Sequence, residues 1–382
     1  MYSERLVLFL RIKVAVILLF MASIACATLV DVSKTSILVN DTNANDPLKF
    51  KQAFAQIIAN NTGESILNIL QDPYFNEVNI KSGVKRTSFE KIDSKYLKDN
   101  TLDYYWFHVV MHENFISSLI KQSGFSLLPH NRQEIMLWVA KEEIFAPEVQ
   151  NPLEDDEIVI TPLIDEPAVQ YAYDDEVFNY WMKHWAESMA LVFTNPNIDE
   201  GDMLIVSPES IQSLSFQAHE QSRLKYDKNI SLLLFLKRTD DEVKYRTGVF
   251  IDDEDMSIKH FQQEGVEEGE ILYSVFSDLA EKYANTYKID ANDLSAHSVQ
   301  MVIDSLDGFD DVNSIKNYLK NLSVIESYKI ISAYKGHIVL TANLTVTSES
   351  FLKIIERQNI LFHDQNGPIN QLKFQLVTEL EE

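Results

Sequence analysis

The sequence predicts a mixed chain of α/β and α+β class: two N-terminal α/β units followed by a C-terminal domain of order β-α-β-β-α-β. Three observations carry this expectation. From Thr28 onward, runs rich in β-branched and aromatic residues alternate with apolar stripes at three-to-four spacing. Residues 134–140, EIMLWVA, form the short continuous apolar run of a buried strand. Residues 141–176 then break the composition, with twelve acids, one base, four of the ten prolines and no glycine.

The first 27 residues read as a leader. Arg5, Arg11 and Lys13 stand against one acid and run into the apolar stretch 14–25, a charged n-region followed by an h-region. A spanning helix needs about 20 uninterrupted apolar residues, and Arg11 and Lys13 interrupt the run from Leu6. A cleaved signal peptide is therefore expected, with Thr28 as the mature start after Ala25-Cys26-Ala27, no transmembrane span in the mature form, and the periplasm as destination. Ser23-Ile24-Ala25-Cys26 also reads as a loose lipoprotein box, and acylation of Cys26 would anchor the same chain to a membrane surface.

Cys26 is the only cysteine, so a mature chain has no disulfide, zinc-thiolate site or cysteine nucleophile. Cleavage removes 27 of 382 residues, leaving 355, enough for two or three domains with their own cores. It also removes three bases and one acid, so the formal charge moves from −25 to −27. Such a polyanion repels phosphate backbones and anionic headgroups; nucleic acid is excluded, and the acidity either keeps an envelope protein soluble or suits a partner with a basic surface.

The first unit spans 28–140. Residues 29–39 read as β structure, and Asp46-Pro47 opens a helix with Phe50, Ala53, Phe54, Ile57 and Ile58 on one stripe, ended by Asn61 and Gly63. A short helix at 65–70, strands at 84–90 and 103–111, a helix at 114–122 stopping at Gly124, and the strand 134–140 complete it. Residues 141–176 sustain neither period and read as an acidic, proline-containing insertion or linker. The second unit, 177–290, has a helix at 177–191, the loop TNPNIDEGDM, a helix at about 209–225, a hairpin of strands 230–237 and 243–251, and a helix at 270–287. Residues 292–382 give strand 298–304, helix 311–321, strands 324–333 and 337–346 around Lys335-Gly336, helix 348–358 and strand 371–377, the order of a ferredoxin-like split βαβ domain.

Motifs for catalysis are missing. No glycines bracket a serine as G-x-S-x-G, none gives G-x-G-x-x-G, no Gly-Lys closes a phosphate loop, and no calcium loop spacing occurs, so no cofactor or metal is called for. His108 and His112 lie four apart in a strand-like run, about 13 Å of chain, too far to share an ion. Two constellations remain as candidate binding residues. Trp181 and Trp185, one helical turn apart, form either an aromatic platform for a sugar or peptide or the core face of their helix. Asn195, Asp199 and Asp202 either line a pocket mouth or cap a tight polar turn.

The order of IIANNTG, YYWFHVVM, IMLWVAKE, YWMKHWAE, NPNIDEGDM and AHEQSRLKYD before LLLFLKR, with a tail from SVQMVIDSLDGFDD through LTVTSESFLKIIERQNI, resembles an exported family of proteobacterial envelopes, domain of unknown function 2066. The acidic segment 141–176 and HNRQE before the IMLWVA strand depart from that family's pattern. The family is similar in pattern to periplasmic assembly proteins, among them the N-terminal domain of TolB and parts of the flagellar T-ring protein. The resemblance implies a noncatalytic scaffold or adaptor that binds envelope proteins. The competing expectations are a carboxylate-dependent hydrolase or small-ligand-binding protein with a pocket in the second unit, and an acidic cation sink.

Overall fold

The structure, a computed structural model, describes residues 28–97, 103–143, 168–238, 242–251, 255–264, 268–322, 324–334, 336–357, 360–364 and 371–376. The expected leader and Cys26 lie outside these residues. The described residues form a mixed α/β structure with several sheets and 12 α-helices. None of those helices is long and apolar enough to cross a membrane.

The N-terminal layer comprises β1 (Thr28–Leu29), β2 (Lys34–Val39), α1 (Pro47–Thr62), α2 (Ile66–Gln71), α3 (Pro73–Asn76), α4 (Ile80–Gly83), β3 (Val84–Lys91), β4 (Tyr105–Met111) and α5 (Glu113–Ser123). The strands pair antiparallel in the order β2-β4-β3. Asp46 accepts from the Leu48 amide and Pro47 supplies its fixed φ, so α1 starts there; Gly63 at φ 72° stops it. The stripe Phe50, Ala53, Phe54, Ile57 and Ile58 packs on Phe107, Val109 and Met111 of β4.

The next elements are β5 (Asn131–Arg132), β6 (Ile135–Glu143), β7 (Ala168–Tyr171), α6 (Glu176–Ser188), β8 (Phe193–Thr194), α7 (Glu200–Ile205), α8 (Pro208–Gln212), α9 (Phe216–Tyr226), β9 (Ile230–Arg238), β10 (Glu242–Ile251), β11 (Asp255–Glu264) and α10 (Glu268–Tyr287). They build a sheet of order β11-β10-β9-β6-β7, with β8 beside the start of β6. The central pair β6 and β9 is parallel and covered on both faces. Ile135, Leu137 and Val139 face α6 and α10; Met136, Trp138 and Ala140 face the side of α8 and α9. This double cover is why both strands read as unbroken apolar runs.

Several expectations change here. Strand β6 pairs with β9, so a unit boundary at 140 falls inside one sheet, and the IMLWVA strand belongs with the second unit. Lys141–Glu143 and Ala168–Tyr171 belong to an antiparallel pair, so the acidic segment connects two neighbouring strands of that sheet and is no linker between units. Its residues 144–167 lie outside the described residues. The helix expected at 209–225 is two, α8 and α9, because Leu214 turns into the left-handed region at φ 54°. Strand β11 was not expected, since DMSIKHFQQE shows little apolar alternation.

The C-terminal body holds β12 (Leu294–Leu306), α11 (Phe309–Asn321), β13 (Ile325–Tyr334), β14 (Gly336–Val346), α12 (Ser348–Arg357), β15 (Leu361–His363) and β16 (Gln371–Leu376). Its sheet order is β13-β14-β12-β16-β15. The expected element order is present, but the arrangement differs from a four-stranded antiparallel sheet. Strand β16 runs parallel to β12, and β15, antiparallel to β16, forms the edge. A strand that follows a helical crossover must be parallel to the strand before it, and β15 is the one that meets this condition for β14. The added strand β16 is wedged between it and β12.

This body has its own core, Met301, Ile303, Leu340, Phe351, Ile355 and Phe374 among others, and among the described residues Ile289 is the one buried member that precedes β12. Residues 289–382 are therefore expected to fold alone with a cooperative melt and dispersed amide resonances. A fragment without a cooperative transition would show that the core depends on the rest of the chain.

Candidate functional site

The central sheet separates the two constellations singled out in the sequence. Trp181 and Trp185 are buried in the core on the α6 and α10 side. Trp181 donates from Nε1 to the Tyr96 carbonyl (3.1 Å) and Trp185 to the Gly269 carbonyl (2.8 Å). They present no aromatic platform; the apolar stripe of α6 is its core face. Residues 195–202 belong to the opposite side, where Ile198 and Val206 pack with Met136 and Trp138. Among the described residues the tryptophans and these carboxylates therefore stand on opposite sides of the sheet.

The second constellation is a joint between α7 and α9. Asp199 is the N-cap of α7 and accepts from the Asp202 amide (2.8 Å), while the Asp202 carboxylate accepts from the Asp199 amide (3.3 Å), a reciprocal capping box. Asp202 is fully buried. Its oxygens also accept from Lys225 Nζ (2.6 Å) and from the Tyr226 hydroxyl (2.6 and 2.7 Å), both at the end of α9. Lys225 reaches Asp199 as well (2.9 Å). Asn195 is exposed on the loop that leads in.

Electrostatics and strain converge on this joint. Burial, with the hydrogen bond to Asp202, pushes the Tyr226 hydroxyl up to about 12, so it remains a donor at neutral pH. Tyr171, which donates to the Val206 carbonyl (2.5 Å), is pushed up to about 12 by burial and the nearby Asp202 charge. Ile198, immediately before the cap, sits at φ 53°, a conformation costly for a β-branched residue. Trp138 holds α9 to the sheet by donating from Nε1 to Ser222 Oγ (2.8 Å) and by edge contact with the Tyr226 ring.

Beside the joint lie three large apolar side chains that sequence reading did not single out. Met203 and Leu204 follow Asp202 and are 51% and 87% exposed; Leu224 precedes Lys225 and is 79% exposed. Asp199, Glu200, Glu209, Glu220 and Asp227, on or next to α7, α8 and α9, are exposed acids. The available signal was the D-x-x-D spacing of a capping box, which marks α7 as a helix and places Met203 and Leu204 on it.

Elsewhere, a cavity of about 240 Å³ opens between α1 and α10, lined by Gln56, Asn60, Arg132, Tyr273 and Tyr283. The buried Arg132 guanidinium donates to the carbonyls of Pro129 and Asn60, tying the last turn of α1 to β5; burial pulls it down to about 10. Among the described residues, no group of three or more His, Cys, Asp and Glu is placed to hold a metal ion. Compared with models of known families, with curated proteins and with solved structures, the chain matches none.

Proposed function

We propose that this chain is an exported envelope protein that binds other proteins as a scaffold or adaptor, using the α7 and α9 surface as its contact platform. The observation that carries this reading is the exposure of Met203, Leu204 and Leu224 next to a joint locked by the buried Asp202. Large exposed apolar side chains on firmly held helices, accompanied by polar residues, are the usual make-up of a protein contact. Export follows from the charged leader and apolar stretch, and the resemblance to an exported envelope family points the same way.

The exposed acids on these helices select the partner's chemistry. Five exposed carboxylates on or next to the helices that carry these apolar side chains, on a chain of formal charge −25, favour a protein that offers apolar residues together with Lys and Arg. Crosslinking in intact cells with Leu204→Glu and Leu224→Glu tests the reading. Crosslinked adducts are expected to fall about tenfold, with unchanged melting, because both side chains are exposed and their loss removes no core. Adducts of undiminished yield in the double variant would remove this surface from consideration.

A further inference from the structure

The N-terminal sheet holds a second constellation, brought together only by strand register. Ser36 on β2 and Ser88 on β3 lie directly opposite His108 on β4, and Glu90 shares their face. Ser36 Oγ is 2.7 Å from His108 Nδ1, and His108 Nε2 is 3.1 Å from Glu90 Oε2. A carboxylate only accepts, so the Glu90 contact places the imidazole proton on Nε2. In the neutral ring Nδ1 is then the acceptor facing the Ser36 hydroxyl. A nucleophile, a base and a group that orients the base stand in line at hydrogen-bond distances.

The surroundings fit a working site better than a buried tie. Solvent reaches it, since the His108 side chain is 29% and Glu90 57% exposed, and Ser36 is half-buried. One side is walled by α6, whose Tyr180 and His184 pack on Trp106, the residue two before His108 on the same face. On the other side the same face carries Lys34 and Arg86, exposed and two positions along β2 and β3 from Ser36 and Ser88, about 7 Å of strand. They are the cations nearest in register to where an acyl oxygen would take up charge.

We propose that Ser36, His108 and Glu90 form a nucleophilic serine centre for carboxylic esters, adding a chemical step to a binding protein. Ser36 Oγ attacks the ester carbonyl carbon while its proton passes to His108 Nδ1; Glu90 holds the ring through Nε2–H and offsets the imidazolium charge. Collapse of the tetrahedral adduct breaks the carbon–oxygen bond to the leaving alcohol, which takes the proton from His108 and departs. Water, deprotonated by His108, then attacks the Ser36 ester and releases the acid, returning the proton to Ser36. Ser36 is the catalytic nucleophile, His108 the catalytic base, and Glu90 a positioning residue. The centre is on a different sheet from the α7 and α9 platform, so variants of one leave the other testable.

A fluorophosphonate probe tests it directly, because the reaction forms an Oγ–P bond at Ser36 and expels fluoride. With the purified protein, one phosphonyl group is expected on the peptide containing Ser36. Ser36→Ala is expected to lose it, and His108→Asn to slow it at least 100-fold. Glu90→Gln is expected to slow labelling about tenfold and Glu90→Asp to recover part of the rate, all with unchanged melting, which a merely structural hydrogen-bond ladder would not produce. Hydrolysis of 4-nitrophenyl acetate is expected to follow the same order. No adduct, or an adduct on any residue other than Ser36, overturns the proposal, and labelling of Glu90→Gln at the native rate overturns the role of Glu90.

Discussion

Arg238→Met is expected to destabilise the central unit by about 3–5 kcal/mol at neutral pH, because it leaves two buried carboxylates without their cation. Arg238, at the end of β9, donates to Asp175 (2.7 and 3.3 Å) and to Glu268 (3.1 and 2.8 Å). Both carboxylates are buried. Asp175 is the N-cap of α6, and Glu268 opens α10 and accepts from the buried Tyr245 hydroxyl. One guanidinium therefore pins the starts of two helices to the end of the central strand.

The pH dependence has a definite sign. Burial acts to raise the Asp175 pKa, but the hydrogen-bonded Arg238 and the Phe178 amide overcome it and hold the carboxyl below its ordinary range. A depressed carboxyl contributes stability above its unfolded value of about 3.9, lost as pH falls through the lower folded value. In Arg238→Met burial dominates and Asp175 is raised instead, so its contribution is present at low pH and lost as pH rises. Urea denaturation is expected to show the variant gaining stability from pH 7 to pH 5, a window in which the native chain shows no such gain from this group. A loss below about 1 kcal/mol at pH 7, or no gain on acidification, would mean that water already compensates these carboxylates.

How far the sequence carried the fold depends on where each signal lies. The caps of α1, the stop at Gly124 and the apolar run of β6 are local features, legible because the backbone conformation is written within four or five residues. The pairing of β6 with β9 was not legible. The two strands are parallel neighbours joined by a crossover, and α6 through α9 fill the intervening chain without disclosing which strand they return to. Strand β11 escaped because, among the described residues, only its β10 side is paired, and an edge tolerates the charged and polar residues it carries.

The candidate sites follow the same logic. Asp199 and Asp202 were visible as turn and cap residues, but the Lys225 and Tyr226 that make them a joint come from the far end of α9. Trp181 and Trp185 were visible as a stripe, and nothing within α6 says whether a stripe faces a ligand or a sheet. Ser36, His108 and Glu90 share no spacing rule at all, since 72 residues separate the first pair and 18 the second. Register alone joins them.

The second large effect is expected at Trp106, which fastens the N-terminal layer to the central unit. Trp106 belongs to β4, yet its ring is buried in the core formed around α6 and α10. It meets Trp181 and Trp185 edge-on, with centroids at 5.6 and 4.8 Å, lies flat on His184 at 4.9 Å, and donates from Nε1 to the Tyr180 hydroxyl at 3.0 Å. Truncating such a ring loses its transfer free energy and leaves a cavity that two further tryptophans are too rigid to fill, so Trp106→Ala is expected to cost about 3–5 kcal/mol. Trp106→Phe keeps most of the ring contacts and removes the Nε1 donor, for a smaller cost of about 1–2 kcal/mol. Hydrogen exchange locates the effect: in Trp106→Ala, amides of β2, β3 and β4 are expected to lose protection strongly, while those of β12 and β14, whose core contains none of these rings, keep theirs. Equal loss of protection in all five strands would mean that the three bodies unfold as one unit and that Trp106 is not a local fastening.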